Sequence, residues 1–278
     1  MRLLYRAAMT NPLRTRAAKA RVKRGFNGAV PAVLESVDTK VSLHDEMWYS
    51  GPDRYFHVGL AAIGCIDQVY DSTGVPHPRR ILDMPSGAGR VLRYIAVRFP
   101  QAELTACDIM PNEVAFCAQR FGATPVISSP DFDAVELPGP FDLIWSGSLV
   151  THLDGEGTKA YLRLCQRNLS ANGLLILTTH GDAVARRVPS YPNFYSLTDQ
   201  QARDVVTAYK RDGIGFVPYS TPHTPQVLGY TPEAAPYGIA LTSREWVRGA
   251  AEQAGLRERY FAEHGLRDHH DVFALAAG

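Results

Sequence analysis

Two aspartates and a glycine-rich turn carry the clearest chemistry in this sequence. Asp83 closes the apolar pair Ile81-Leu82, and Pro85-Ser86-Gly87-Ala88-Gly89 follows one residue later. Residues 91–99 then repeat apolar side chains at helical spacing. Strand, glycine turn and helix in that order open a nucleotide-binding βαβ unit. Glycines in the turn let the backbone approach a ligand, and the following helix offers free N–H groups. A second strand over 103–107 ends in Asp108, where one carboxylate can accept from both hydroxyls of a ribose. The G-x-G-x-x-G pattern of dinucleotide sites is not met, because Leu92 stands where the third glycine would fall. Asp83 would also repel a pyrophosphate. It suits a cationic group, such as the α-amino group of a methionine moiety.

The run Asp83-Met84-Pro85-Ser86-Gly87-Ala88-Gly89 resembles the first motif of the class I S-adenosylmethionine-dependent methyltransferases, roughly acid-x-G-x-G-x-G. Proline replaces the first glycine. The resemblance is good over residues 79–181 and looser over 238–277. It implies an α/β fold, doubly wound around a mostly parallel seven-stranded sheet, with S-adenosyl-L-methionine as cofactor. Asp83, Ser86, Gly87, Gly89, Asp108 and Ile109 would then line the cofactor. Asp131 would accept from the adenine amino group and Phe132 would pack on its face, although Asp133 could serve in place of Asp131. Ser146, with Ser148, would flank the methionine part.

The remaining elements must position these residues. At 278 residues the chain can hold one large α/β domain with an appendage. Residues 1–40 read as a basic arm, with eight Lys or Arg and no acid before residue 35, while the rest of the chain is net acidic. A solvated, separable arm is one reading. Contact of residues 1–24 with an anionic lipid or acidic glycan is another. Nucleic acid is disfavoured, since the acidic remainder would repel a phosphate backbone. Residues 41–78 form a helical segment, with a helix over 53–72. Residues 79–181 form the cofactor-binding core, in which Ala171-Asn172-Gly173 should turn into a central strand over 174–179. Residues 182–238 read as a cap inserted over the acceptor site, rich in aromatics (Tyr191, Phe194, Tyr195, Tyr219, Tyr230, Tyr237). Residues 239–278 complete the sheet. The four cysteines are far apart and no Cys/His cluster has zinc spacing, so reduced thiols and no metal centre are expected. No apolar stretch approaches the ~20 residues needed to span a bilayer. The expectation is a cytoplasmic protein, which the basic arm could bring against a membrane.

Ligands of open parallel sheets bind beyond the carboxyl ends of the strands. That edge collects histidines: His152 after the fourth strand, His180 after the fifth, and His269 in the last turn if the final strand is antiparallel. A hydroxyl acceptor needs a general base, which makes His152 the first candidate, with His180 and His269 in reserve. Histidines at such positions also serve as structural hydrogen-bonders. The fourth strand ends in Trp145-Ser146-Gly147-Ser148 and lacks the Asp/Asn-Pro-Pro-aromatic signature used on exocyclic base amines. The expected reaction is O-methylation of a small molecule or sugar hydroxyl. Two other classes stay open: a nicotinamide-dependent oxidoreductase, disfavoured by Asp83 and the missing glycine, and a non-catalytic cofactor-binding protein.

Overall fold

The computed structural model describes residues 2–25, 31–49, 51–219 and 236–278. The strands are β1 (Arg80–Asp83), β2 (Glu103–Asp108), β3 (Thr124–Ile127), β4 (Phe141–Ser146), β5 (Leu169–Thr179), β6 (Ile214–Pro218), β7 (Gly238–Thr242), β8 (Leu256–Leu266) and β9 (His270–Ala277). Seven of them form one sheet in the order β3-β2-β1-β4-β5-β9-β8. β1 to β5 pair in parallel, and β9 runs antiparallel to both neighbours. The order reverses between β1 and β4, which puts the crevice of a doubly wound sheet at their carboxyl ends.

Both faces are covered, as a parallel sheet requires. The helices before the sheet are α1 (Arg2–Met9), α2 (Pro12–Arg24), α3 (Ala32–Ser36), α4 (Glu46–Tyr49) and α5 (Pro52–Thr73). Within and after it come α6 (Leu92–Arg98), α7 (Pro111–Phe121), α8 (Gly155–Asn168), α9 (Asp182–Arg187), α10 (Asp199–Asp212) and α11 (Arg244–Gln253). Ile81, Leu143, Leu174 and Ile176 pack with α2, α5 and α6, while Leu82, Ile144, Leu175 and Leu177 pack with α8 and α11. Local signals set the ends. Pro52 starts α5 and Gly74 stops it at φ 66°. Asp154 caps α8 by accepting from the Gly157 N–H at 2.7 Å, and Ser243 caps α11. α5 lies close over the first turn of α6. A Cβ at Gly59 would sit 2.4 Å from the Tyr94 ring and 2.6 Å from the Arg90 carbonyl.

The structure corrects three expectations. The basic arm is not detached. Thr15, Ala18 and Val22 fall on one face of α2 and are buried against the α5 layer. Acids from beyond residue 34 supply its partners: Arg6 meets Glu46, Arg21 meets Asp53, and Lys23 meets Glu35. Lys19 donates to the carbonyls of Glu35 and Val37, and Trp48 Nε1 to that of Met9. Second, Ala171-Asn172-Gly173 does not break the chain before the fifth strand. β5 runs through it with an irregularity against β4, and the missing Cβ of Gly173 admits the Phe141 carbonyl, which would lie 2.6 Å from it. Third, the cap extends past residue 238. β7 pairs with β6 rather than joining the main sheet. Together with α9 and α10 they enclose a small core of Val184, Val188, Val205, Ile239 and Leu241. Of the cap aromatics, Tyr195 is buried in this core, Tyr191 and Phe194 are 65% and 62% exposed, and Tyr230 lies outside the described residues.

Because α2 contributes buried side chains and not only charge, deleting residues 1–24 should lower the thermal midpoint of the protein by several degrees in a circular-dichroism melt. An unchanged midpoint would restore the detached-arm reading.

Candidate active site

The turn after β1 is seated by backbone and side-chain contacts from two directions. Gly87 and Gly89 take positive φ, 48° and 76°, and a Cβ on Gly89 would strike the Phe121 ring at 2.5 Å. α7 therefore packs directly on the loop, and Cys117 Sγ reaches the Gly87 carbonyl at 3.4 Å. From the other side comes Arg93, a buried guanidinium. Its Nε donates to the Gly89 carbonyl, Nη1 to the carbonyls of Asp38 and Lys40, and Nη2 to the Tyr55 hydroxyl. Tyr55 in turn donates to Asp45 Oδ2 at 2.6 Å.

Around this loop the structure collects carboxyl groups. Asp83 is 1% exposed, and its Oδ2 has no hydrogen-bond partner among the described residues. Burial, reinforced by Asp108 and partly offset by Arg90, holds the Asp83 carboxyl well above the usual range. Asp108 is 7% exposed. Its Oδ2 accepts from the Gly87 N–H at 2.8 Å and its Oδ1 from that of Met110 at 3.0 Å. Burial raises it too, against those N–H groups. Glu113, in the first turn of α7, reaches toward Gly87, and burial with the nearby Asp108, Asp45 and Glu46 pushes its carboxyl up to about 8. Glu113 and Asp45 were not singled out in the sequence. Both lie on segments whose approach to the loop is tertiary.

The other predicted ligand residues divide. Ser86 is buried, with its N–H on the Cys107 carbonyl and its hydroxyl on the Gly87 carbonyl. Ile109 follows β2, half-buried at the same edge, and Ser146 is fully buried at the end of β4. The pair expected at the adenine reads differently. Phe132 is buried in the layer under α8 with its ring 5.3 Å from that of Tyr161, so it is a core residue rather than an open face. Asp131 is exposed and accepts from the Asp133 N–H within its own turn. Asp133 is engaged by Arg163 and Arg167.

The histidines form two groups. His152 joins core to cap. Its Nδ1 lies 2.9 Å from the Gly238 carbonyl and 3.1 Å from the Tyr219 hydroxyl, and its ring stacks on Tyr237. The carbonyl assigns the ring proton to Nδ1, leaving Nε2 as the basic nitrogen. His180 and His269 meet His270, which the sequence reading had not placed among the site residues. His180 Nε2 and His270 Nε2 are 3.1 Å apart, and the His269 ring centroid is 5.4 Å and 4.8 Å from those of His180 and His270. One ring nitrogen from each histidine lies within 4.8 Å of the others, a grouping that spacing along the chain does not show. Burial lowers all three, reinforced by neighbouring histidines at His180 and at His270, which falls to about 3, and by Arg187, Arg54 and Arg267 at His269. A cleft of about 290 Å³ near Phe99, Leu104 and Phe121 opens at the amino ends of β2 and β3, away from this edge.

A family model described as a methyltransferase domain matches residues 81–173, the segment that carries the loop and both aspartates. Residues 81–173 thus match a methyltransferase domain, carried on the doubly wound sheet described above. Malonyl-[acyl-carrier protein] O-methyltransferase from Anoxybacillus flavithermus is 32% identical over 106 residues, or 38% of this chain and 40% of that protein. Its counterpart from Acetivibrio thermocellus is 28% identical over 102 residues, 36% and 35% of the two chains. The chain thus spans about two fifths or less of the length of these curated relatives. Among solved structures, Streptomyces venezuelae DesVI superposes with a TM-score of 0.54, covering 86% of this chain and 100% of that one at 15% identity. The PH0226 protein of Pyrococcus horikoshii gives 0.53, covering 84% and 99% at 11% identity. At such identities the likeness is one of fold.

The carboxyls around the methyltransferase loop have a measurable consequence. Glu113 rises from an ordinary value of 4.5 to about 8 on folding. Between these values the unfolded chain releases a proton that the folded chain keeps, so stability falls as pH rises through the interval. Measured against Glu113→Gln, the ligand-free wild type should lose stability between pH about 5 and pH about 8; the buried histidines act in the opposite direction below about 6.5 and are common to both proteins. A wild-type slope surviving in Glu113→Gln would assign the effect to another group.

Proposed function

We propose that the chain transfers the methyl group of S-adenosyl-L-methionine to an oxygen of a small acceptor, either a small molecule or a sugar hydroxyl. One observation carries the cofactor half of this reading: the buried, unpartnered Asp83 oxygen beside the buried Asp108 carboxylate. Two desolvated acids at one loop repel each other and are relieved by a cationic ligand. An ammonium and a sulfonium fit that demand, and a pyrophosphate does not, which weighs against a nicotinamide cofactor. Asp83 would hold the amino group, and Asp108, already fixed by the Gly87 and Met110 N–H groups, would turn its remaining lone pairs to the ribose hydroxyls. Arg90, largely enclosed and within electrostatic reach of Asp83 and Asp45, suits the carboxylate of the amino-acid moiety. Gly87, Gly89, Ser86, Ile109 and Ser146 would form the walls, with Asp131 at the adenine end.

When bound, the cofactor supplies a methyl group already activated on sulfur. The chain must then hold the acceptor oxygen in line and keep water out, a positioning effect worth about 7–11 kcal/mol of barrier. The cap formed by α9, α10, β6 and β7 sits at this edge, with His152 at its junction with the core. Nε2 of His152 is the nitrogen we assign to remove the hydroxyl proton, a role worth roughly 10²–10⁴-fold in rate. The O-methyltransferase names of the two relatives support oxygen as the methylated atom. Contact with an anionic surface would use the exposed Arg14, Arg16 and Arg24 of α2. No helix among the described residues is long and apolar enough to cross a membrane, in keeping with a cytoplasmic protein that could lie against one.

Asp83→Asn and Asp108→Ala should each weaken S-adenosylhomocysteine binding about tenfold to a hundredfold by calorimetry, as expected for a charged hydrogen bond of ~1.5–3 kcal/mol. Wild-type affinity in both folded variants, or tighter binding of NAD, would sink the cofactor assignment. In a methyl-incorporation assay on cell extract, His152→Ala should reduce turnover while leaving cofactor affinity intact, and the deficit should shrink as rising pH ionises the acceptor. Turnover unaffected by His152→Ala would return this residue to a structural role and favour an acceptor that is already nucleophilic, such as a carboxylate.

A further inference from the structure

At the carboxyl end of β5 the chain brings together three imidazoles that no local spacing joins. His180 follows β5, His269 ends the turn between β8 and β9, and His270 opens β9, 90 residues away at the His180–His270 contact. The antiparallel pairing of β9 with β5, in register at Thr179 and Asp271, makes the meeting obligatory. We propose that His180, His269 and His270 bind a borderline divalent metal ion, with Zn²⁺ the best fit, at the seam between the sheet and the cap.

The geometry supports this in several ways. Imidazole nitrogens lie about 2.0–2.1 Å from Zn²⁺, so two such ligands around one ion sit roughly 3.0–3.4 Å apart. The His180 and His270 Nε2 atoms are at 3.1 Å. Two neutral imidazoles facing each other through Nε2 can share only one proton, and one ion between them would satisfy both nitrogens at once. The third nitrogen lies within 4.8 Å of the other two, and His269 is half-buried, so a ring rotation completes the set. His180 is 4% exposed, which removes water from that side of the site. The buried Nδ1 atoms of His180 and His270 have no hydrogen-bond partner among the described residues, so no outer bond holds these rings in a tautomer that would exclude a metal. Burial disfavours the charged form of all three rings, so protons compete less with a metal ion for these nitrogens.

Charge around the cluster sets the expected strength. Arg187 Nη1 is 3.5 Å from His269 Nδ1 and donates to the Asp268 carbonyl, and Arg54 and Arg267 lie within electrostatic range. These cations weaken a metal site. Asp271 opposes them, its carboxylate held against the Gly181 backbone next to His180 and accepting from the His264 N–H. Three neutral ligands and one carboxylate nearby describe a reversible site rather than a permanently loaded one. Three protein ligands also leave a tetrahedral ion one open position. The site lies on the same edge as Asp83, so that position opens toward the acceptor region, and Tyr195 of the cap stacks on His269. A bound ion would therefore pin the cap to the sheet, and it would remove His180 and His269 from the candidates for general base.

The test uses untagged, chelator-treated full-length protein, titrated with Zn²⁺ by calorimetry and with Co²⁺ by visible absorption. The expected result is one ion per chain, a cobalt spectrum of nitrogen-ligated low-coordinate type, and a rise in thermal midpoint with added Zn²⁺. His269→Ala and His270→Asn should each weaken binding at least tenfold and abolish the cobalt band. His264→Ala, near the end of β8 and outside the cluster, should bind as wild type. Absence of stoichiometric binding to the wild type, or wild-type affinity and spectrum in both cluster variants, would overturn the proposal. No cofactor enters these measurements, so their failure leaves the methyl-transfer reading untouched.

Discussion

A single buried guanidinium holds the two halves of this molecule in register. Arg93 donates to four backbone carbonyls, those of Gly89, Ala88, Asp38 and Lys40, and to the Tyr55 hydroxyl. Its plane also lies over the rings of Tyr55 and Phe121 at 5.0 and 5.5 Å. A buried charge of this kind is tolerable only when its hydrogen-bonding capacity is filled, and Arg93 meets that condition by drawing on both segments. The segment before α5 is thereby fastened to the glycine loop. Removing the side chain would orphan several carbonyls at once, each costing about 1–3 kcal/mol. This is why the N-terminal helices cannot be understood as an appendage: they complete the shell around the loop.

The carboxyl edge of the sheet is electrically divided. On the β1–β2 side stand Asp83, Asp108, Glu113 and Asp45, all with carboxyls raised above their ordinary range. On the β5–β9 side stand three imidazoles held uncharged, with arginines outside them. A parallel sheet with one reversal point offers one crevice, and here the two sides of that crevice want different things. The acidic side is satisfied by a cationic ligand. The imidazole side accepts protons or a metal ion, and it is the side to which the cap is attached.

The attachment itself is made of backbone. Gly238 N–H donates to the His152 carbonyl, Ala240 N–H to that of Thr151, and Thr242 N–H to that of His180. β7 is thus threaded between the loop after β4 and the end of β5, and His152 adds its ring to the same seam. A cap hinged by such bonds can retain its own apolar core while changing its angle to the sheet, because few apolar contacts cross the seam.

Local physics made much of this legible in the sequence. The strand–turn–helix alternation, the glycines of the turn after β1 and the acids closing β1 and β2 all follow from near neighbours, and each appears where periodicity and turn chemistry put it. The doubly wound sheet and its antiparallel β9 followed from the resemblance carried by Asp83 to Gly89. What the sequence could not disclose depends on distant surfaces meeting. Phe132 was read as a ligand platform and is core, because α8 and Tyr161 close over it. The basic residues of α1 and α2 looked unpartnered, because Glu46, Asp53 and Glu35 reach them only through folding. Glu113 and Asp45 became part of the acidic pocket only when α7 and the N-terminal segment converged on one loop. His270 joined His180 only through the strand pairing of β5 with β9. Sequence patterns report the torsional and capping preferences of short stretches. Which polar groups end up desolvated together is set by burial, and burial belongs to the assembled fold.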